Sequence, residues 1–322
     1  MLRNVADATL KWKTETVIMR NPIKHISIAC ILSGLVIMAA DAAEPYTHQP
    51  PSHSAPPAIP VFPPARDKWQ YNLFHPTPRS LMREMSTDRP DKTESAYTVD
   101  AGHFQIEATL VQFGVDTWNA EGEKVWGINA GNVNLKVGLT NNADFQVVVE
   151  NYLYERVRTD GSTVKKSGFG GIQTRLKVNL WGNDGGTTAL AVMPYINWPT
   201  NTDGFGNKKV EGGLVIPLAV ELPWGFGMGM MTEVDFVVRD VSGCGVDFVN
   251  SITFSRNIIG NLAGYAECYT LLPDTGIAPI VTLDVGLTYA FTVDILLDVG
   301  INFGVTEAAE DFNPFAGFSM RF

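Results

Sequence analysis

The last eleven residues of the chain read F-N-P-F-A-G-F-S-M-R-F and largely alternate between apolar and polar side chains. Successive side chains of a strand point to opposite faces, so Phe318, Met320 and Phe322 fall on one face. Ser319 and Arg321 fall on the other. A last strand that ends on an aromatic residue is typical of bacterial outer-membrane β-barrels, where it serves as an assembly signal. Because lipid permits spanning only by helices or closed barrels, this strand constrains fold and compartment together.

The same two-residue period recurs from Gly102 onward and predicts twelve strands, an even number. The links after the odd-numbered strands are long, whereas those after the even-numbered strands are tight turns. The predicted long links are 117–124, 159–169, 199–208, 240–245, 273–278 and 306–311. We therefore predict an all-β fold, a transmembrane antiparallel up-and-down barrel with both ends in the periplasm. The alternative is a soluble sandwich of two sheets, which needs fewer and shorter strands.

Composition agrees with a barrel and excludes other classes. The chain is 45% hydrophobic with a mean hydropathy of +0.03, and no mature stretch reaches the roughly 20 apolar residues of a membrane helix. A β-barrel escapes that test because half of its strand residues face a polar interior. The net charge is −10 and no basic run exceeds two residues, so no nucleic-acid partner is expected.

The N-terminal region has the order of a secretory signal: positive, apolar, then small. Arg20 and Lys24 precede an apolar run from Ile26 to Ala40, and cleavage is predicted after Ala42. Met19 would begin a leader of ordinary length. A single-pass anchor is the alternative, although the run is short for one.

Prolines dominate the next stretch and favour extended conformations that cannot pack a core. The predicted organisation is a signal peptide at 1–42, a disordered Pro-rich periplasmic linker at 43–85, a signature segment at 86–101 and the barrel at 102–322.

Residues 86–107 read S-T-D-R-P-D-K-T-E-S-A-Y-T-V-D-A-G-H-F-Q-I-E. The T-D-R-P-D-x-T-x-S element leading into G-H-F-Q-I-E resembles the opening of the outer-membrane family called "putative MetA-pathway of phenol degradation". Residues 135–141, L-K-V-G-L-T-N, resemble its second-strand element more weakly. Asp100 departs from the family, where proline is frequent. The resemblance implies a porin or transporter barrel, associated by name with uptake of aromatic or other hydrophobic compounds, and supplies no catalytic residues.

Charged residues on the polar faces of the strands are the candidate site. If the apolar faces meet lipid, these residues line the lumen as a polar channel, or they form a charge network that holds the wall together. The lumen-lining candidates are Glu107, Lys136, Glu150, Arg175, Lys177, Glu233, Asp235, Arg239, Asp284, Asp298 and Arg321. Asp88, Arg89 and Asp91, just before the first strand, can fold inward as a short plug, or form an ordinary turn at the barrel mouth.

Enzymatic chemistry is not indicated. A nucleophilic serine needs an adjacent base, and His103 is the one histidine of the barrel region. We predict no catalytic residue, no metal site and no cofactor, and we expect Cys244 and Cys268 to remain free because their predicted register holds them apart.

Together these features predict a monomeric channel of the bacterial outer membrane for passive uptake of small solutes, aromatic or hydrophobic ones included. The alternative is a closed structural or surface-interaction barrel, and a lipid-modifying enzyme is disfavoured. The expected partners are outer-membrane lipid, the barrel assembly machinery through the strand that ends at Phe322, and a small-molecule solute.

Overall fold

The C-terminal strand, Phe312–Arg321, pairs antiparallel with the first strand, Phe104–Asp116. Their register begins with Gln105 opposite Arg321. Every strand between them pairs with its neighbours, so this contact closes the sheet. The closed antiparallel barrel confirms the predicted fold class.

The structure is a computed structural model that describes residues 68–322 apart from 118, 120, 207, 240–242, 275 and 277. Fourteen strand segments make twelve strands, because two strands are each interrupted once. The strands are β1 (Phe104–Asp116), β2 (Lys124–Thr140), β3 (Ala143–Glu150 and Tyr152–Thr159), β4 (Ser162–Gly168 and Gly171–Trp181), β5 (Thr188–Trp198), β6 (Glu211–Leu222), β7 (Phe226–Arg239), β8 (Gly243–Ile259), β9 (Leu262–Leu272), β10 (Ile280–Thr292), β11 (Ile295–Gly304) and β12 (Phe312–Arg321).

Helical structure is minor. Single 3-10 turns form at Arg79–Leu81 and Pro223–Gly225, and no helix within the described range is long and apolar enough to cross a membrane. The predicted signal peptide at 1–42 and the linker residues 43–67 lie outside the described residues. Cys244 and Cys268 are free, as expected from their distant register.

The barrel carries its apolar side chains outside and its polar side chains inside, the reverse of a soluble protein. Phe104 is 53% exposed whereas its neighbour Gln105 is 1% exposed. On β2, Leu135 is 44% exposed and Lys136 is 4% exposed. An exposed apolar wall is stable where lipid covers it, so the period-2 pattern places the apolar set toward the membrane.

Two boundaries differ from the sequence prediction. The prolines of residues 68–85 predict a disordered linker. In the structure Tyr71 and Thr77 are buried, and Leu73 donates its N–H to the Leu139 carbonyl. Extended, proline-rich chain suits this position because it can run along the inner wall without a core of its own.

The predicted long loop 159–169 is not a loop. β3 and β4 continue as a hairpin that turns at 160–161, with Thr159 opposite Ser162. Gly161 has φ +97, a backbone conformation that glycine adopts without strain. The ladder runs from Leu153 opposite Gly168 to Thr159 opposite Ser162.

Candidate functional site

Residues 68–101, called here the luminal segment, begin at the periplasmic end of the barrel, where Phe74 is 93% exposed, and continue inside the closed sheet. Their side chains and backbone contact β1, β2 and β4 on one side and β8 to β12 on the other. Seven predicted site residues make these contacts: Glu107, Lys136, Arg175, Lys177, Asp284, Asp298 and Arg321.

Asp88 anchors the segment to β1, β2 and β4. Its two carboxylate oxygens accept from Lys136 and Lys177, the latter at 2.6 Å, while its backbone N–H donates to Glu107 at 3.0 Å. The Ser95 N–H donates to the same carboxylate at 2.9 Å and closes a local turn. Burial raises the pKa of Asp88, but the two ammonium groups outweigh it and hold the pKa well below its usual range. Asp88 is therefore a carboxylate that neutralises two buried lysines.

Arg89 holds the segment against β11 and β1. Its guanidinium donates to both oxygens of Asp298, at 2.6 and 3.2 Å, and to the Thr109 hydroxyl. It also lies 5.7 Å from the centre of the Phe315 ring. A Cβ at Gly317 would overlap this guanidinium, so the absence of a side chain there makes room for the contact.

Residues 91–93 surround a carboxylate of β9. Glu267 accepts from the N–H groups of Lys92 and Thr93 at 2.9 and 2.8 Å, and the Lys92 ammonium lies 3.1 Å from Asp284. Burial, and then the charge of Glu267, raises the pKa of Asp91 to about 8.

Glu94 sits between a cation and an apolar surface. Its carboxylate pairs with Arg175, and its backbone N–H lies 3.5 Å from the sulfur of Met231. Burial raises the pKa of Glu94 to about 7, although Arg175 acts in the opposite direction. Met231 belongs to an apolar cluster on the inner wall of β5 to β8, made of Met193, Tyr195, Val215, Met231 and Val249.

The end of the segment is tied to the periplasmic side of the barrel. Asp100 is 1% exposed and has three cations around it: Lys68 at 3.3 Å, Arg83 at 3.4 Å and Arg321 at 3.8 Å. Arg321 also pairs with Asp294 at 2.9 Å. Asp100, which replaces the frequent proline of the family pattern, therefore acts as a charged anchor.

The other four predicted residues form no ion pair with the luminal segment in the described part of the chain. Glu150 lines a polar cavity of about 330 Å³ that it shares with Arg175 and Lys209. Asp235 accepts from the Tyr195 hydroxyl, and Glu233 lies two residues before it on the same face.

Arg239, the last of these four, closes the loop end of β7. Its guanidinium pairs with Asp247 and, at 2.9 Å, with Asp274. These contacts connect the end of β7 to β8 and to the loop that follows β9. The charge of Arg239 is therefore paired within the protein.

Sequence reasoning missed two parts of the site. Glu267 went unassigned because β9 has a mixed pattern, although Tyr265, Glu267 and Tyr269 share its inner face. The inner apolar cluster went unassigned because Met231 lies on the face that also carries Glu233, which marked that face as polar.

Comparisons with known proteins agree with this architecture. A family model described as "Putative MetA-pathway of phenol degradation" matches residues 87–322. An outer membrane channel from Pseudomonas putida F1 covers 74% of this chain and 100% of its own, at 14% identity and a TM-score of 0.54. The NanC porin covers 67% of this chain and 98% of its own, at 9% identity and a TM-score of 0.43. No curated protein matches the chain. The shared barrel fold confirms the predicted outer-membrane location.

Proposed function

Because the chain belongs to the family described as "Putative MetA-pathway of phenol degradation", we propose that it is a channel for passive uptake of small aromatic or otherwise hydrophobic solutes across the outer membrane. The observation that carries the solute class is the apolar cluster of β5 to β8, which forms an apolar patch on the inner wall and lies against the luminal segment at Glu94, so a solute reaches it when the segment moves. An apolar solute can bury its surface against these side chains, which a lumen lined only by charged residues would not allow.

A polar atom beside this cluster suits a hydroxylated ring. The Oε2 atom of Glu94 is buried and has no hydrogen-bond partner among the described residues. Glu94 also contacts Met231 through its backbone. A phenolic hydroxyl could donate to this oxygen while its ring packs on the cluster, which satisfies a group that otherwise stays unpaired.

The luminal segment has to control passage, because it occupies the interior that a solute must cross. Its anchors are ion pairs and hydrogen bonds rather than a continuous apolar core, and such contacts can exchange for water when the segment moves. We propose that solutes pass when the part around Asp88 to Glu94 leaves its place on the wall.

The solute class is tested by the Met231→Gln variant. Replacing the thioether with an amide weakens apolar contact, and we expect phenol uptake above that of protein-free liposomes to be several times slower, with uptake of a small sugar unchanged. The matched control is Met230→Gln, which alters the neighbouring outward side chain, 40% exposed. Equal phenol uptake by both variants would contradict the assignment of the cluster to the solute.

A second candidate is a closed barrel without transport, favoured by the ion pairs that link the luminal segment to β2, β4, β10 and β11. Such a barrel produces neither liposome swelling nor single-channel current, even when the segment is loosened. The two candidates therefore separate in one reconstitution experiment.

Two further expectations concern activity and assembly. His103 lies between the carbonyl oxygens of Thr77 and Phe322, at 2.7 and 2.8 Å, and we expect no lipid hydrolysis by the purified protein. The Phe322 side chain is half exposed beside Phe104, where the assembly machinery is expected to recognise it.

A further inference from the structure

The hairpin of β3 and β4, formed by Tyr152–Thr159 and Ser162–Gly168, carries a group of basic residues. It lies at the end of the barrel opposite to Phe322, where the longer links occur. In outer-membrane barrels that end faces the cell exterior. The hairpin therefore stands at the outer leaflet of the membrane.

The register of the strands places four neighbouring cations on one face, three from the hairpin and one from β2. Trp126 of β2 lies opposite Arg156, and Arg156 lies opposite Lys165. Lys124 lies opposite Arg158 on the same face, two residues further along each strand. We call Lys124, Arg156, Arg158 and Lys165 the basic face.

This face points outward, toward lipid. Trp126 and Tyr152 share it and are 55% and 45% exposed, as membrane-facing aromatic residues are. The opposite face of the hairpin holds Lys166, whose ammonium donates to the Gly204 carbonyl of the loop that follows β5. The two faces thus have different surroundings, and the basic one has the membrane beside it.

The three cations that the hairpin itself contributes to the basic face have no acidic partner in the described part of the chain. Like charges directly opposite one another in a sheet are destabilising, yet Arg156 faces Lys165 across the ladder. Glu155, the one carboxylate of the segments Tyr152–Thr159 and Ser162–Gly168, lies on the other face and pairs with Lys166 at 2.9 Å. Arg156, Arg158 and Lys165 form no ion pair with any residue that the structure describes. A net charge of −10 for the chain makes this local excess of cations more pronounced.

The height of the face matches the lipid headgroups. Tyr152 and Tyr154 belong to the aromatic belt that marks the membrane interface. Arg156 is two residues beyond Tyr154, about 7 Å along the strand. An arginine guanidinium can donate two parallel hydrogen bonds to two oxygen atoms of one phosphate group. This face therefore fits a phosphate group at the headgroup level of the outer leaflet.

We propose that the basic face binds the phosphate groups of an anionic glycolipid of the outer leaflet and holds that lipid against the outer wall. The bound phosphates supply the counter-charge that the hairpin lacks, and the acyl chains cover the exposed aromatic belt below. This site is on the outside of the barrel and is separate from the route of the solute.

The test uses native mass spectrometry of the full-length protein in neutral detergent with bisphosphorylated lipid A. We expect the unaltered protein to retain lipid A and the R156Q/R158Q/K165Q variant to bind it about 100-fold more weakly, since each basic residue near an anionic lipid surface contributes about fivefold. The control is Lys166→Gln, which removes a cation from the opposite face of the same hairpin and should leave retention unchanged. Folding of all variants is checked by the heat-dependent shift of the barrel on gels.

The source of the phosphate is tested in the same instrument. Lipid A stripped of both phosphates should bind the unaltered protein as weakly as the triple variant binds the intact lipid. Equal retention of lipid A by the triple variant and the unaltered protein overturns the proposal. Displacement of lipid A by millimolar inorganic phosphate alone also overturns it, because the site then recognises the free ion rather than a membrane lipid.

Discussion

The Asp88→Asn variant is expected to conduct ions through the barrel far more often than the unaltered protein. The amide removes the one ion pair that the described residues give Lys177, which is 1% exposed, and one of the two ion pairs of Lys136, which keeps Glu107. Leaving a buried charge without its partner costs about 3 kcal/mol or more, roughly a hundredfold in the population of a displaced luminal segment. Single-channel recording in planar bilayers measures this as a higher open fraction.

The matched control is Asp203→Asn, which also removes an aspartate from a lysine pair. Asp203 is almost fully exposed and lies 3.1 Å from Lys208 in a loop, so its loss should leave the open fraction unchanged. Asp88→Glu, which keeps the charge, should restore part of the closed state. An Asp88→Asn channel with the open fraction of the unaltered protein would show that this anchor does not hold the segment.

The Gly138→Ala variant is expected to displace the end of the luminal segment by direct overlap. A Cβ at Gly138 would lie 2.0 Å from the carbonyl oxygen of Asp100 and 2.7 Å from that of Val99. Both are backbone atoms, so no side-chain rotation can relieve the contact, and overpacking of this kind costs about 1–3 kcal/mol or more. Limited proteolysis should cut near residue 100 at least several times faster than in the unaltered protein.

Gly127→Ala provides the control on the same strand. The nearest atom to a Cβ at Gly127 is 3.9 Å away, which is ordinary contact, so this variant should be cut at the unaltered rate. Equal cleavage of the two variants would mean that the segment does not pack on β2 as described.

The sequence was sufficient for the wall of the barrel because a period of two is a local property. Glu107, Lys136 and Lys177 each alternate with apolar neighbours, so their inward direction follows from the strand alone. The signature around Asp88 indicated a role inside the barrel, and its density of polar side chains is now explained by partners on β1, β2 and β4.

Features that depend on distant contacts could not be predicted in this way. Glu267 binds residues 92 and 93, which are far away in sequence, and the mixed pattern of β9 gives no face. The packing of residues 68–85 depends on a groove that exists only after the barrel closes. Met231 faces inward with Glu233, and a pattern that sorts faces by polarity cannot separate an apolar patch within a charged lumen.

The most direct test of the central claim locks the luminal segment to the wall with a disulfide. The hydroxyl oxygens of Thr93 and Ser251 are 2.6 Å apart, so cysteine sulfur atoms at both positions start close together. The experiment uses a background in which Cys30, Cys244 and Cys268 are serine, with Thr93→Cys alone as the control. Phenol uptake above that of protein-free liposomes should stop when the double variant is oxidised and return on reduction. Equal uptake in the oxidised and reduced states would contradict the claim that movement of this segment controls passage.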